Sequence, residues 1–413
     1  MVIPIKPVPA ATPAGRQSAH DALSAHTRPG AIRLASLPPL SLYVHFPWCV
    51  KKCPYCDFNS HAVDAASPIP EERYIAALIR DLELSLPLVW GRRVHSIFFG
   101  GGTPSLLSAN GFERLISEIR ARLGLEADAE ITLEANPGTF EAAKFASFRK
   151  SGVNRLSIGI QSFNTAHLQA LGRIHDGAEA LDAIRIARSL FDNFNLDLMY
   201  ALPGQTAEQV QSDLDTALGF NPPHLSYYHL TLEANTVFAK YPPPLPDDDT
   251  AADMQAQIEA RLAADGYQHY ETSAYAKPNQ RSRHNTNYWR FGDYLGIGAG
   301  AHGKLSFAQR IVRTSKLRQP ESYMAGCEAG APLAEEREVG SAELPFEFMM
   351  NALRLTEGFE VRQFSDRTGL SIAVVDAALN AAERKGLITR DHVRIAPTQR
   401  GRRFLNDLLE LFL

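Results

Sequence analysis

The stretch Leu42-Tyr43-Val44-His45-Phe46-Pro47-Trp48-Cys49-Val50-Lys51-Lys52-Cys53-Pro54-Tyr55-Cys56 decides how the chain is read. Leu42–Phe46 has the β-branched and aromatic character of a strand, and it runs directly into three cysteines within eight residues. The chain has only four cysteines in 413 residues, so this cluster is not a disulfide framework. It suits a reducing compartment and a metal site instead. Thiolates serve iron–sulfur clusters and zinc alike. A structural zinc asks for four protein ligands, and here the fourth would have to be His61, since Cys327 stands alone in Met324-Ala325-Gly326-Cys327-Glu328. Three cysteines on one tight loop would instead leave one iron of a cubane open to a chelating ligand. Cys327 reads as an ordinary thiol.

Outward from the loop, short apolar runs alternate with segments of helical period. Strands are expected at Leu42–Phe46, Val94–Phe99, Glu130–Ala135, Arg155–Ile160, Asn195–Tyr200 and Leu225–Leu230. Helices are expected at Glu71–Leu86, Gly111–Leu123, Glu141–Lys150, Ala178–Leu190, Ala207–Phe220 and Ala251–Ala264. Six βα units in series predict an α/β fold with a parallel sheet, curled into a partial six-stranded (β/α)6 barrel. Runs such as Ser96–Phe99 fit strands covered on both faces. Ligands of such sheets gather at the carboxyl ends of the strands, and the unusual residues fall there: the cysteine loop, Gly100–Pro104, Glu134, Gln161 and Asp197.

The expected organisation is a Pro/Ala-rich disordered leader over 1–40, the barrel over 41–265, a connecting region over 266–341 and a C-terminal domain over 342–413. The leader carries Pro4, Pro7, Pro9, Pro13, Pro29, Pro38 and Pro39, no amphipathic period and a single acid, Asp21. Its prolines oppose the amphipathic helix of a transit peptide, and no signal-peptide core is present, so a cytoplasmic location is expected. Beyond 265 the pattern changes, with the segment Tyr267–Ser273, a basic stretch with aromatics from Arg281 to Tyr294, and Gly296-Ile297-Gly298-Ala299-Gly300. From 342 the pattern gives helices at Pro345–Leu355, Val361–Thr368 and Val374–Lys385, strands at Leu387–Thr389 and Val393–Ile395, and a last helix over Thr398–Phe412. Three helices with a two-strand hairpin resemble a winged helix.

Composition narrows the function. A net charge of −4, with 45% hydrophobic and 21% charged residues, carries no global case for nucleic acid or an anionic membrane. No apolar run reaches the roughly 20 residues of a membrane span, which leaves transient membrane contact open. DNA binding by the winged-helix-like segment is the rival class, supported by Arg384, Lys385, Arg390, Arg394, Arg400, Arg402 and Arg403. Asp376, Glu383 and several alanines in Val374–Lys385 oppose it.

A CxxxCxxC loop with an aromatic, Tyr55, before its last cysteine resembles that of the radical S-adenosylmethionine (SAM) superfamily. The resemblance implies a [4Fe–4S] cluster on Cys49, Cys53 and Cys56, chelation of the open iron by SAM, reduction by an electron donor, and cleavage to a 5′-deoxyadenosyl radical. Gly100-Gly101-Gly102-Thr103-Pro104 is similar to the superfamily's glycine motif, with its backbone N–H groups able to approach a ligand closely. Glu134-Ala-Asn-Pro-Gly-Thr, Ser157-Ile-Gly-Ile-Gln161-Ser, Leu171-Gly-Arg173 and Leu196-Asp197-Leu-Met-Tyr200-Ala-Leu-Pro-Gly-Gln205 together resemble the oxygen-independent coproporphyrinogen III oxidase family over roughly 41–410. By that analogy Tyr43, Tyr55, Gly101, Gly102, Thr103, Glu134, Gln161, Arg173 and Asp197 form the SAM pocket, with Arg173 on the carboxylate. Taken singly, each of the charged residues reads equally as a strand-end hydrogen bond or ion pair.

Two features depart from the oxidases of that family. Phe58 stands where they carry a fourth cysteine, and the leader replaces their folded N-terminal region. A third feature, His284-Asn285-Thr286-Asn287-Tyr288-Trp289, matches the HNxxYW signature of the family's heme-chaperone branch. Imidazole can ligate heme iron and flat rings can pack on the macrocycle, so His284, Tyr288 and Trp289 are the candidate heme residues. Arg281, Arg283 and Arg290 either meet heme propionates or form a solvated basic face. The expectation is therefore a heme carrier that delivers to acceptor proteins, with coproporphyrinogen oxidation as the alternative and SAM cleavage an open question.

Overall fold

The computed structural model describes residues 29–63, 68–139 and 141–413. Residues 1–28 of the expected leader lie outside them. The chain is already packed before residue 40: Ile32 and Leu34 are buried, and their N–H groups donate to Gln309 and Ala308 carbonyls at 3.4 and 2.9 Å. The leader boundary at 40 is thus corrected, because two apolar side chains in this strap fill the C-terminal core.

The six expected strands form, as β1 (Leu40–Phe46), β2 (Val94–Gly101), β3 (Leu125–Ala135), β4 (Arg155–Gln161), β5 (Phe194–Tyr200) and β6 (His224–His229). They pair in parallel in sequence order. The intervening helices are α1 (Glu71–Ser85), α2 (Ala109–Arg122), α3 (Ala142–Ser151), α4 (Gly177–Leu190) and α5 (Ala207–Gly219), with α6 (Asp248–Ala264) after β6. Local chemistry fixes several boundaries. Asp176 with Glu179 and Thr206 with Gln209 make capping boxes that start α4 and α5, and Gly152 at φ +115° stops α3.

The sheet extends beyond these strands in both directions. The chain after 265 forms a tight antiparallel pair, β7 (Gln268–Glu271) and β8 (Ala274–Ala276). On the other side, β9 (Asp293–Ile297) lies parallel to β1, followed by the antiparallel β10 (His302–Phe307), β11 (Arg310–Lys316) and β12 (Leu333–Glu338). The result is a 12-stranded mixed sheet in the order β12-β11-β10-β9-β1-β2-β3-β4-β5-β6-β8-β7.

The strands are covered on both faces, as expected, but only one of the faces is apolar. Leu42, Val44, Ile97, Phe99, Ile131, Leu133, Leu156, Ile158, Leu196, Leu198 and Leu225 form a core with side chains from α1 to α6. The alternate positions, among them Tyr43, Glu134, Arg155, Ser157, Gln161, Asn195, Asp197 and Ser226, turn to the opposite face and line a cavity. One face of each strand is hydrophobic packing, and the other is the wall of a polar chamber.

The C-terminal part contains helices Leu344–Ala352, Val361–Thr368 and Asp376–Arg384. Its sheet has three strands, because Phe359–Glu360 joins Arg394–Pro397 and Ile388–Arg390. The single last helix is corrected to two, Gln399–Arg403 and Leu405–Glu410, with Phe404 at φ −112° and ψ 48° breaking the helical path. Its apolar core takes in Phe291, Ile311 and Val339 from before residue 342. Among the described residues no helix is long and apolar enough to cross a membrane.

Candidate functional site

A cavity of about 620 Å³ opens at the carboxyl ends of the parallel strands and reaches down their polar face. Cys49, Cys53, Cys56 and all nine expected SAM-pocket residues line it. His284, Asn285, Tyr288 and Trp289 line the same cavity.

The cysteine loop is shaped by its own backbone and pinned from below. Trp48–Cys49 pairs with His61–Ala62, and the Cys56 N–H donates to the Cys53 carbonyl at 3.1 Å. Asn59, which was not singled out from sequence, donates to the carbonyls of Ala299 and Arg318 at 2.9 and 2.8 Å. That ties the loop to the glycine turn after β9. Cys49 is buried, Cys53 and Cys56 are half-buried, and burial pushes the Cys49 thiol up. Among the described residues no three His, Cys, Asp or Glu side chains converge as ligands of one ion, so His61 is not drawn into a tight zinc set with the cysteines. Three thiols on one loop beside a common cavity do fit a cubane, whose irons are ligated separately.

The glycine turn after β2 works differently from the expectation. The Gly101 N–H donates to Glu134 Oε2 at 3.2 Å, and those of Gly102 and Thr103 donate to the Phe46 and Trp48 carbonyls at 2.7 Å each. These N–H groups are therefore engaged within the chain. The glycines are needed for close approach: a Cβ on Gly102 would lie 2.3 Å from the Trp48 oxygen, and Gly101 sits at φ +115°.

The wall behind carries charge in unusual states. Burial and then nearby Asp197 push the Glu134 carboxyl up to about 8. Burial likewise raises Asp197, against hydrogen bonds from Ser157 Oγ and Asn195 Nδ2 at 2.8 Å each. Among the described residues neither acid is in a salt bridge, an environment that favours a cationic neighbour. Gln161 ends β4 at φ +67°, a strained backbone for a residue other than glycine. Arg173 donates to the Gly159 carbonyl at 2.7 Å and to Asn136 Oδ1 at 2.5 Å, and lies 3.8 Å from Cys53 Sγ. Asn136 in turn donates to Thr103 at 2.7 Å, linking the glycine turn to Arg173. Its place in Glu134-Ala-Asn136-Pro was the available signal. Tyr43 bonds His45 Nδ1 at 2.9 Å, and Tyr55 packs toward Phe238.

The HNxxYW segment forms the short helix α7 (Arg283–Trp289). Ser282 caps it, and Glu130 of β3 accepts the N–H groups of Arg283 and His284 at 3.1 Å each. His284 is 1% exposed. Its Nδ1 meets Ser96 Oγ at 3.1 Å and its Nε2 meets Tyr288 Oη at 3.1 Å. Burial, then His95 and Arg155, push its pKa down to about 3, so the ring is neutral. Asn287 donates to Ser41 Oγ, the Asp293 carbonyl and the Pro39 carbonyl at 3.0, 2.9 and 3.4 Å. Trp289 lies under the Arg354 guanidinium, 4.4 Å from ring centre to charge.

The expected basic face is not free. Arg281 and Arg290 pair with Glu357 at 3.0 and 3.3 Å, and Arg283 pairs with Asp128 and Glu126 at 3.0 and 3.3 Å. In the C-terminal part Arg390 is bound to Asp376 and Glu383 at 3.1 and 2.9 Å, which reduces the basicity that DNA binding would need. Burial pushes the Cys327 thiol up to about 12, consistent with an inert side chain.

Known proteins share these features. Residues 43–217 match the radical SAM superfamily and residues 341–404 match the HemN C-terminal domain. The solved coproporphyrinogen III oxidase (HemN) from Escherichia coli, a radical SAM enzyme, superposes with a TM-score of 0.77 at 25% identity, covering 91% of this chain and 90% of that one. The heme chaperone HemW of Escherichia coli is 51% identical over 92% of this chain and 100% of its own length. That of Bacillus subtilis is 33% identical over 90% and 99%. With identity at these levels across nearly the full length of its relatives, this chain belongs to the heme chaperone HemW family of radical SAM proteins.

Proposed function

We propose that this chain is a heme chaperone that binds heme and hands it to acceptor proteins, and that it does not oxidise coproporphyrinogen III. The observation that carries the reading is the common cavity, in which the HNxxYW residues and the three cysteines share one wall system. Phe58, 61% exposed where the oxidases have a cysteine, supports the same choice.

In this reading Cys49, Cys53 and Cys56 hold a [4Fe–4S] cluster, which supplies one-electron chemistry and an open iron when bound. Tyr43, Tyr55, Gly101, Gly102, Thr103, Gln161 and Arg173 hold SAM around it. Glu134 and Asp197 receive its positive charge, and Arg173 orients its carboxylate. His284 enters as a neutral donor beside Tyr288 and Trp289, the state a heme ligand requires. Tyr288 Oη, which meets Nε2 at 3.1 Å, would have to give up that contact for the nitrogen to serve as a ligand.

The finer architecture belongs to the same proposal: a partial (β/α)6 barrel over 41–265, an extension over 266–341 that brings in α7, and a winged-helix-like lid over 342–413. A cytoplasmic location and an electron donor for the cluster complete it.

The deciding experiment is anaerobic. The cluster is reconstituted, heme is added, and coproporphyrinogen III follows with SAM and a reductant. Retained heme without turnover is expected, whereas decarboxylated product overturns the carrier reading. His284→Ala with Tyr288→Ala should weaken heme binding about tenfold or more, for a lost ligand or ring contact. Undiminished binding in a folded double variant removes the motif from the heme site.

A further inference from the structure

Arg155 opens β4, and its position follows from the alternation Arg155-Leu-Ser157-Ile-Gly159-Ile-Gln161, which turns every second side chain into the chamber. It is 2% exposed and lines the cavity. Among the described residues its side chain makes no hydrogen bond and no ion pair, and its Nε is buried without an acceptor. An enclosed guanidinium without an anion is costly, by several kcal/mol in general, and proteins avoid it. Every other arginine considered for this cavity is engaged. Arg173 is bound to Asn136 and the Gly159 carbonyl, and Arg281, Arg283 and Arg290 are paired with acids.

Asp197 is the nearest candidate for a counter-charge, since Arg155 acts on it through space. Its oxygens are already bonded to Ser157 and Asn195 at 2.8 Å, and no ion pair joins it to Arg155. The amide and hydroxyls around it leave the acid fixed in place. A guanidinium facing an enclosed cavity in this way presents parallel N–H donors whose best match is a carboxylate.

We propose that Arg155 is an anion receptor at the inner end of the cavity and takes a propionate carboxylate of heme. The assignment rests on the heme-chaperone reading above. SAM also carries a carboxylate, but chelation draws that group to the cluster end, where Arg173 lies 3.8 Å from Cys53 Sγ. Arg155 belongs to the His284 end, where its charge helps depress that histidine.

The test uses the full chain with its cluster reconstituted, titrated with heme, with heme dimethyl ester and with SAM. Arg155→Gln should weaken heme binding about ten- to a hundredfold, the usual loss for a charge-assisted carboxylate contact. Because Arg155 also acts on Asp197, SAM affinity need not stay constant, but it should not fall by a comparable factor. The ester should bind the unaltered chain and Arg155→Gln equally, and more weakly than heme binds the unaltered chain. That ester measurement needs no variant, so it remains informative if Arg155→Gln folds poorly. Equal heme affinity in the two proteins, or an ester as tight as heme on the unaltered chain, overturns the proposal. A loss in SAM affinity with heme unaffected also overturns it, by assigning the carboxylate to SAM. If the unaltered chain retains no heme at all, the chaperone reading itself fails, an outcome separate from the others.

Discussion

The two ends of the cavity are built on opposite principles. At the cluster end the functional atoms have little to do with holding the fold: the thiols of Cys53 and Cys56 are half-buried, and their contacts to Arg173 and Ser60 are long, at 3.8 and 3.6 Å. At the α7 end the functional candidates are also structural. His284 bridges Ser96 to Tyr288, while Asn287 fastens the helix to Ser41 and to the backbone around β1 and β9. A motif can therefore mark chemistry, packing or both, and only its hydrogen-bond partners separate these. The contrast predicts that the thiols can be replaced without losing the fold and that the fastenings of the helix cannot.

The sharpest way to break that contrast is to remove the thiols. Changing Cys49, Cys53 and Cys56 together to serine should reduce cluster iron and sulfide to background, an all-or-none effect read by metal analysis and paramagnetic resonance. Cooperative unfolding of the cluster-free chain should persist. A full cluster on the triple variant would end the assignment of these ligands. The reciprocal change is Asn287→Ala. It deletes two buried hydrogen bonds, to Ser41 Oγ and the Asp293 carbonyl, with a longer contact to Pro39, which should destabilise the chain by about 2–3 kcal/mol. Denaturant unfolding measures the loss, and cluster content at low temperature should stay normal. If Asn287→Ala left stability untouched, α7 would be an ornament on the sheet rather than a fastening.

The same contrast explains what could be read in the sequence. The cysteine spacing and the six βα units were legible because each is local: a loop, a strand, a helix with its own period and cap. Arg155 was not singled out from sequence, although Arg155-Leu-Ser157-Ile-Gly159-Ile-Gln161 alternates without a break and sets it on the same face as Gln161. The hairpins from β9 to β12 were missed because their strands are mixed in character, as in Leu333-Ala-Glu-Glu-Arg-Glu338, where the residues are mostly exposed and periodicity is weak. Nor does spacing disclose that Arg281, Arg283 and Arg290 find acids at 357, 126 and 128. Those pairings are made by the tertiary fold, and a basic stretch looks the same with or without them.

The smallest expected effect is a tilt in pH dependence, and it runs in opposite senses at the two ends. Glu134 is raised from an ordinary value near 4.5 to about 8, mainly by burial. Its contribution to the stability of the ligand-free chain is fully present below about 4.5 and is lost as the pH rises through about 8. His284 is lowered from about 6.5 to about 3, again mainly by burial. Its contribution is present above about 6.5 and is lost as the pH falls through about 3. Raising the pH from 6 to 8 should therefore cost stability through Glu134, against a smaller gain from His284 that is nearly complete once the pH has passed about 6.5. A cationic ligand placed against Glu134 reverses the penalty, because it favours the ionised carboxylate and displaces its proton. SAM affinity should accordingly increase with pH up to about 8, by no more than about tenfold per unit, and then level off. Glu134→Gln should bind SAM more weakly with this dependence removed, and should not show the wild-type loss of ligand-free stability on going from pH 6 to 8. Calorimetric SAM titrations and thermal unfolding across that range supply both readouts. An identical pH slope in the glutamine variant would move the titrating group elsewhere in the cavity and deprive the cluster end of its acid receptor.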